Sequence, residues 1–141
     1  MSGNFYTESS RTMSGCARVY ASMNSYNGFT YTVWDNSTSP YQFSLSSATA
    51  VQDGNWHHIA CIWSNGSQGV TKGLYLYVNG VQEGYISFNG NDGSYGTLHL
   101  GGVYGCAGTV DSDCYLGVVS YYENRALNSD EVFKNYMAHA Y

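Results

Sequence analysis

Residues 51–63 read VQDGNWHHIACIW, a stretch compatible with a metal site, a catalytic centre or a structural strand. Adjacent side chains of a β-strand point to opposite faces of the sheet. One face would carry Trp56, His58, Ala60 and Ile62, and the other His57, Ile59, Cys61 and Trp63. Because both faces carry bulky apolar groups, the stretch predicts a central strand of a sandwich. Two histidines on opposite faces cannot bind one metal ion without a bulge.

Short runs that alternate apolar and polar residues continue on both sides of this stretch. Turn-forming Gly, Asn and Asp residues separate them. The predicted strands are 17–23, 28–34, 41–47, 56–63, 73–80, 81–88, 97–103 and 115–122. Asn79-Gly80 joins two of these runs and predicts a tight hairpin, since both residues tolerate a positive φ. The pattern predicts an all-β, antiparallel β-sandwich.

Residues 127–140, LNSDEVFKNYMAHA, differ from the rest and predict a short C-terminal helix. Asn128 can cap the helix and Glu131, three residues later, completes a capping box. Val132, Phe133, Tyr136 and Met137 then form one apolar face. The chain shows no linker or internal repeat, so residues 1–141 are interpreted as a single domain.

Composition excludes several classes of function. Only 11% of the residues are charged, the net charge is −5, and the five basic residues are scattered. Nucleic acid is therefore not an expected partner, because no basic stripe can neutralise phosphates. No apolar run is long enough for a membrane span. Residues 1–15 also lack the apolar segment of a secretory signal.

Four longer segments together resemble a known family: 53–63, 73–81, 98–102 and 115–137. Their order and spacing, from Val51 to Met137, are similar to those of the laminin G-like, concanavalin A-like lectin/glucanase superfamily. The resemblance implies a jelly-roll sandwich that binds glycans or proteins at loops on one rim, sometimes with Ca²⁺. This chain has less strand at its N-terminus than the family, and LGVV at 116–119 replaces an Ile-Asp-x-Val pattern.

The short N-terminal part raises the question of an unpaired sheet edge, which another chain could fill. Residues 2–10, SGNFYTESS, are a candidate for donation to a second molecule. The favoured expectation is instead that the N-terminus pairs within its own sheet.

A catalytic role is not expected. Glucanases of the superfamily place two carboxylates on one strand, and retaining enzymes need them about 5 Å apart. The four glutamates, Glu8, Glu83, Glu123 and Glu131, form no such arrangement. The closest acidic pair, Asp111 and Asp113, is more typical of a turn or a cation site.

Candidate binding residues lie in predicted loops. Calcium needs several oxygen ligands. The candidates are Asp111 with Asp113, or Asn89 with Asn91 and Asp92, although hydrogen-bonded turns are the favoured explanation of both. Sugar binding needs an exposed aromatic ring with polar groups nearby. The candidate ligand-binding residues are Trp34, Asn91, Asp92 and Tyr104.

The four cysteines allow three disulfide pairings. Cys106 and Cys114 flank a short loop that a disulfide can close, which leaves Cys16 for Cys61. Two disulfides are favoured over four reduced, buried thiols. Asn36 and Asn65 each begin an Asn-x-Ser/Thr triplet and are possible glycosylation sites.

Two functions follow as hypotheses. The first is a non-catalytic extracellular recognition or adhesion module that binds a glycan or a surface partner. The second is a structural subunit of an extracellular filament or virion, which self-associates through sandwich edges or N-terminal strand exchange. Either function predicts an extracellular, cell-surface or virion-surface location.

Overall fold

The computed structural model describes residues 4–8, 17–23, 28–35, 42–51, 53–66, 69–87, 98–100, 117–122 and 125–140; side chains are described from residue 28 onward, except at 32–42 and 98–100. Eight strands and one helix lie in this part of the chain. They are β1 (Asn4–Glu8), β2 (Ala17–Met23), β3 (Phe29–Asp35), β4 (Gln42–Ser46), β5 (Ile59–Ser64), β6 (Gly73–Val78), β7 (Val81–Ile86), β8 (Leu98–Leu100) and α1 (Ser129–His139).

The strands form two antiparallel sheets, as the sequence predicted. One sheet has the order β4-β3-β2-β1-β8 and the other the order β5-β6-β7. β1 pairs with β2 on one side and with β8 on the other. The expectation that the N-terminus pairs within its own sheet is therefore confirmed. Residues 4–8 are already paired along both edges in this fold, so the structure does not present them for donation to another chain.

The middle strand of the smaller sheet, β6, separates two hydrophobic cores, and all six of its residues are buried. Leu74 and Leu76 face the larger sheet and join the core formed there by Phe29, Tyr31 and Leu45. Tyr75 and Tyr77 point the other way and pack with Ile62, Leu127 and Val132. The run GLYLYV lacks polar residues because helix α1 and the segment before it cover the face of the small sheet that the large sheet does not.

A carboxylate connects the end of β4 to β7. Oε2 of Glu83 accepts hydrogen bonds from the backbone N–H groups of Ala48, at 2.7 Å, and Thr49, at 3.0 Å. Oε1 accepts a third from the hydroxyl of Thr49. These three hydrogen bonds satisfy both backbone N–H groups of the turn. They also connect the large sheet, through the turn after β4, to strand β7 of the small sheet.

The hairpin between β6 and β7 turns at Asn79 and Gly80, with φ values of 50° and 78°. This confirms the turn that the sequence predicted. Gly80 has a second role, because a Cβ there would lie 3.0 Å from ring atoms of both Phe133 and Tyr136. The lack of a side chain at Gly80 lets helix α1 pack directly against the hairpin.

Helix α1 begins with the predicted capping box. Oδ1 of Asn128 accepts from the backbone N–H of Glu131, and Oε2 of Glu131 accepts from the backbone N–H of Asn128, each at 3.0 Å. Val132 is fully buried, whereas Phe133 and Met137 are half exposed, so the apolar face of the helix is only partly covered. Within the described residues, no helix has the length and apolar character needed to cross a membrane.

Two of the predicted strands differ most from the structure, and β1 was not among the predicted strands. The strand predicted from Trp56 begins only at Ile59, and the backbone of His58 is bound instead by the side chain and the backbone N–H of Asn79, in the β6–β7 hairpin. Residues 117–122, predicted as part of a strand, have no regular structure, and Val118, Val119 and Tyr121 are exposed. Strand-forming residues need a paired neighbour, which this segment lacks among the described residues.

Candidate functional site

A cluster of polar and aromatic side chains lies where the turn before β5 meets the β6–β7 hairpin. We call its five residues the rim cluster: Asp53, Asn55, Trp56, His57 and Asn79. Asp53 is its hydrogen-bond acceptor. One oxygen binds His57 Nε2, at 2.8 Å, and the backbone N–H of Asn55, at 2.9 Å; the other accepts from the Asn55 amide, at 2.9 Å. These bonds, that of the Asn55 side chain first and that of His57 second, lower the pKa of Asp53 below its ordinary range.

The orientation of Asn79 assigns the tautomer of His57. Oδ1 of Asn79 accepts from the backbone N–H of His58, at 3.1 Å, so its amide nitrogen faces Nδ1 of His57, also at 3.1 Å. Nδ1 must then accept, and the proton of neutral His57 lies on Nε2, directed at Asp53. The backbone N–H of Asn79 in turn donates to the carbonyl of His58, at 2.8 Å. This network fixes the backbone on both sides of Trp56.

Trp56 presents an open aromatic surface beside that network. The residue is 63% exposed. A Cβ at Gly117 would lie 3.5 Å from Cζ3 of Trp56, so the backbone of residue 117 is in contact with part of the ring. The residue is otherwise accessible, and Asp53 and Asn55, which precede it by three residues and one residue in the chain, are also exposed. An exposed ring beside a carboxylate and an amide can stack on the apolar face of a sugar and bind its hydroxyl groups.

His58 belongs to the interface with the helix instead of the rim cluster. Its ring lies 6.0 Å from the ring of Tyr136, centroid to centroid. Nδ1 is buried and has no hydrogen-bond partner among the described residues. Desolvation, and secondarily the proximity of His139, lowers the pKa of His58. The two adjacent histidines therefore have different environments, and the described residues contain no group of three or more His, Cys, Asp or Glu side chains arranged to hold a metal.

The environment of His58 predicts a pH dependence of stability. Its pKa is lower in the folded state than in the unfolded chain, where it is about 6.5. As the pH falls below that value, the unfolded chain takes up the proton first, so the free energy of unfolding decreases until the folded-state pKa is passed. Urea unfolding at several pH values between 8 and 5 measures this slope. His58→Phe, which keeps a ring against Tyr136, should flatten it; an unchanged slope would assign it to other groups.

A second concave feature lies between the residues that precede helix α1 and the first half of the helix. This depression has a volume of about 160 Å³ and is lined by Tyr122, Arg125, Leu127, Glu131, Lys134 and Asn135. The guanidinium of Arg125 pairs with Oε1 of Glu131. The amide nitrogen of Asn135 donates to the hydroxyl of Tyr122, at 3.0 Å. We call this feature the helix-side depression.

Most of the candidates from the sequence lie outside the described residues. These are Asn36, Asn89, Asn91, Asp92, Tyr104, Asp111, Asp113, Cys16, Cys106 and Cys114. Trp34 lies in β3, where its backbone pairs with Arg18 and Gln42, but its side chain is not among those described. Asn65 is exposed in the loop after β5, a position open to modification.

Cys61 carries a free thiol in the structure, so the predicted bridge to Cys16 is not confirmed. The residue lies in β5 between Ile59 and Trp63, which pack against the core between the sheets. Its side chain is exposed, although the protein atoms around the thiol raise its pKa by desolvation.

The structure also points to residues that the sequence analysis did not select as binding residues. Trp56 was interpreted as a strand residue, and its exposure depends on the position at which β5 begins. Tyr122 and Lys134 are 12 residues apart and meet only because α1 folds back along the segment before it. The sequence did contain a local indication of a binding residue, namely Trp56 directly before two histidines in NWHH.

Comparison with known proteins identifies the fold family. The laminin G-like family model described as the concanavalin A-like lectin/glucanases superfamily matches residues 3–133. A crystal structure of residues 221–444 of an S-layer domain-containing protein from Clostridium thermocellum ATCC 27405 aligns with 19% identity and a TM-score of 0.42. That alignment covers 84% of this chain and 56% of the other. No curated protein matches the chain.

Proposed function

We propose that this chain, which belongs to the concanavalin A-like lectin/glucanase superfamily, is a non-catalytic recognition module that works outside the cell and binds a glycan. The ring of Trp56 would be the stacking surface, with Asp53 and Asn55 as hydrogen-bonding groups at its side. The family contains both binding modules and glucanases, so the choice between them depends on the site.

The observation that carries the proposal is the exposure of Trp56 in a segment whose neighbouring residues are held by hydrogen bonds. A tryptophan that is 63% exposed offers an aromatic face on which a sugar ring can stack. The bonds from Asp53 to Asn55 and His57 hold the loop in one conformation before any ligand arrives. Preorganisation of this kind reduces the entropy lost on binding.

Three of the four carboxylates whose side chains are described support binding over hydrolysis. Glycosidases need two carboxyl groups that can exchange protons with the substrate. Asp53 is bound to Asn55 and His57, Glu83 to Ala48 and Thr49, and Glu131 to Arg125 and the helix cap. These three groups are occupied by structural hydrogen bonds and lie in different parts of the fold.

Trp56→Ala should weaken binding to the best ligand on an array of immobilised oligosaccharides by about tenfold or more, because loss of an aromatic anchor commonly costs over 1 kcal/mol. Trp56→Phe should retain part of the affinity, since a smaller ring still stacks. The array is read with calcium and with a chelator, which also tests the calcium expected from the family resemblance.

Tyr121→Ala is the matched control, because Tyr121 is 67% exposed and has a comparable aromatic area. It should leave binding unchanged. Equal affinities of the Trp56→Ala variant and the wild-type protein for every bound glycan would contradict the proposed site. The absence of any bound glycan would contradict the proposed function.

A further inference from the structure

We propose that the helix-side depression is a second binding site, specific for a single sugar residue that carries a carboxylate or sulfate group. This inference rests on the proposed function, because it assigns a ligand class to a glycan-binding module. It concerns different residues from the rim cluster, and its test is independent of Trp56.

The charge of the depression is unusual for this chain. The protein has five basic residues and a net charge of −5. Two of the five, Arg125 and Lys134, line this depression, and among its described lining residues Glu131 is the one that carries a carboxylate. The lining is therefore net positive on an acidic protein, and an anion is attracted to it more than to the surrounding surface.

The carboxylate of Glu131 already has partners, which leaves Lys134 for a ligand. Glu131 accepts from Arg125 through one oxygen and from the backbone N–H of Asn128 through the other. The Asn128 bond first, and then Arg125 and Lys134, lower the pKa of Glu131 and keep it ionised. The positive charge of Lys134 acts on Glu131, but Lys134 forms no salt bridge among the described residues. Its ammonium group can therefore pair with an incoming anion.

The other lining groups suit a sugar ring better than a bare anion. Tyr122 is 41% exposed and offers both an aromatic face and a hydroxyl. Because the Tyr122 oxygen accepts from the amide nitrogen of Asn135, its own proton is available to donate and the amide oxygen of Asn135 is available to accept. Leu127, which is buried, provides an apolar floor. The depression therefore offers an aromatic face, a hydrogen-bond donor, a hydrogen-bond acceptor and a cation. An acidic sugar can contact all four.

The dimensions and rigidity of the depression set the size of the ligand. Its volume of about 160 Å³ is below the roughly 300–1,000 Å³ of pockets for drug-sized molecules. One sugar residue at a chain end, rather than an extended oligosaccharide, is the ligand that matches it. The capping box of α1 and the burial of Leu127 hold the lining groups in place without a ligand.

The test is an NMR titration of the full chain with three probes: methyl glucuronide, its uncharged counterpart methyl glucoside, and acetate as the anion alone. The readouts are the side-chain amide signal of Asn135 and the backbone amide of Lys134. We expect methyl glucuronide to shift both signals with at least tenfold higher affinity than either other probe. A repeat with a methyl glucoside sulfate shows whether sulfate can replace carboxylate.

Lys134→Gln should weaken the glucuronide titration by about tenfold, and added salt should weaken it further. Lys72→Gln is the matched control, because it removes the same charge from a position outside the depression. Arg125 is left intact, since its loss would also disturb Glu131 and the helix cap. Trp56→Ala should leave this titration unchanged, which separates the second site from the first.

Each other outcome overturns the inference. Equal affinity for acetate would reduce the site to an anion site with no sugar selectivity. Equal affinity for methyl glucoside would remove the role of charge. Absence of a shift with all three probes would exclude the site. None of these three results concerns glycan binding at Trp56. Failure of this inference would therefore leave the proposed function untouched.

Discussion

Replacement of Gly73 by alanine should destabilise the protein by about 3 kcal/mol or more, the largest effect we expect from any single methyl group. Gly73 is the first residue of β6, with a φ of 155°. A Cβ there would lie 2.5 Å from Cε2 of Tyr85 and 2.6 Å from the carbonyl oxygen of Ile86. The tyrosine ring can rotate away, but the carbonyl belongs to the paired strand β7 and moves only if the sheet distorts.

Gly69→Ala is the matched control, because Gly69 also has a positive φ, 77°, but no atom within 4 Å of the added Cβ. It should lose only about 1 kcal/mol, the conformational cost of placing an L-residue there. Denaturant unfolding of both variants separates steric overlap from backbone strain. If the two variants lose the same free energy, the overlap at Gly73 is relieved by movement that the structure does not indicate.

Leu76→Ala should lower the free energy of unfolding by about 2–5 kcal/mol, through lost burial and the cavity left behind. Leu76 has no exposed surface and lies at the centre of the core between the two sheets. The midpoint of urea unfolding should fall while the slope stays unchanged.

Val81→Ala in the neighbouring strand is the control for Leu76→Ala. Val81 is 62% exposed, so its truncation should change stability by less than about 0.5 kcal/mol. A small loss for Leu76→Ala, similar to that of Val81→Ala, would mean that the core between the sheets does not carry the stability of the fold.

Much of the fold could be predicted from local patterns. The limits of β2 coincide with the predicted residues 17–23, because its alternating run has turn-forming neighbours. Asn79 and Gly80 specify their turn by tolerance of positive φ, and Asn128 with Glu131 specifies the start of α1 by hydrogen bonds within a few residues. These features depend on interactions between near neighbours, which a single sequence displays directly.

The binding surfaces could not be predicted in the same way. The sequence placed Trp56, His57 and His58 in a strand. Asn79, more than 20 residues later, instead accepts from the backbone N–H of His58 and donates to Nδ1 of His57. The segment 117–122 has strand-forming residues but no paired neighbour among those described. Exposure in both places depends on contacts between distant segments.

The sequence by itself determined the class of the fold, its antiparallel strands, the β6–β7 hairpin and the C-terminal helix. The periodicity of apolar residues and the choice of turn residues are local properties of the chain, so they can be read from the sequence. Only the tertiary structure decided which residues stay accessible. The packing of α1 against the segment before it brings Tyr122 and Lys134 to one depression, and the Asp53–His57–Asn79 network holds the backbone on both sides of Trp56. Burial and exposure are properties of the whole packed chain, so the two surfaces that we propose as binding sites emerge only when the sheets and the helix are assembled.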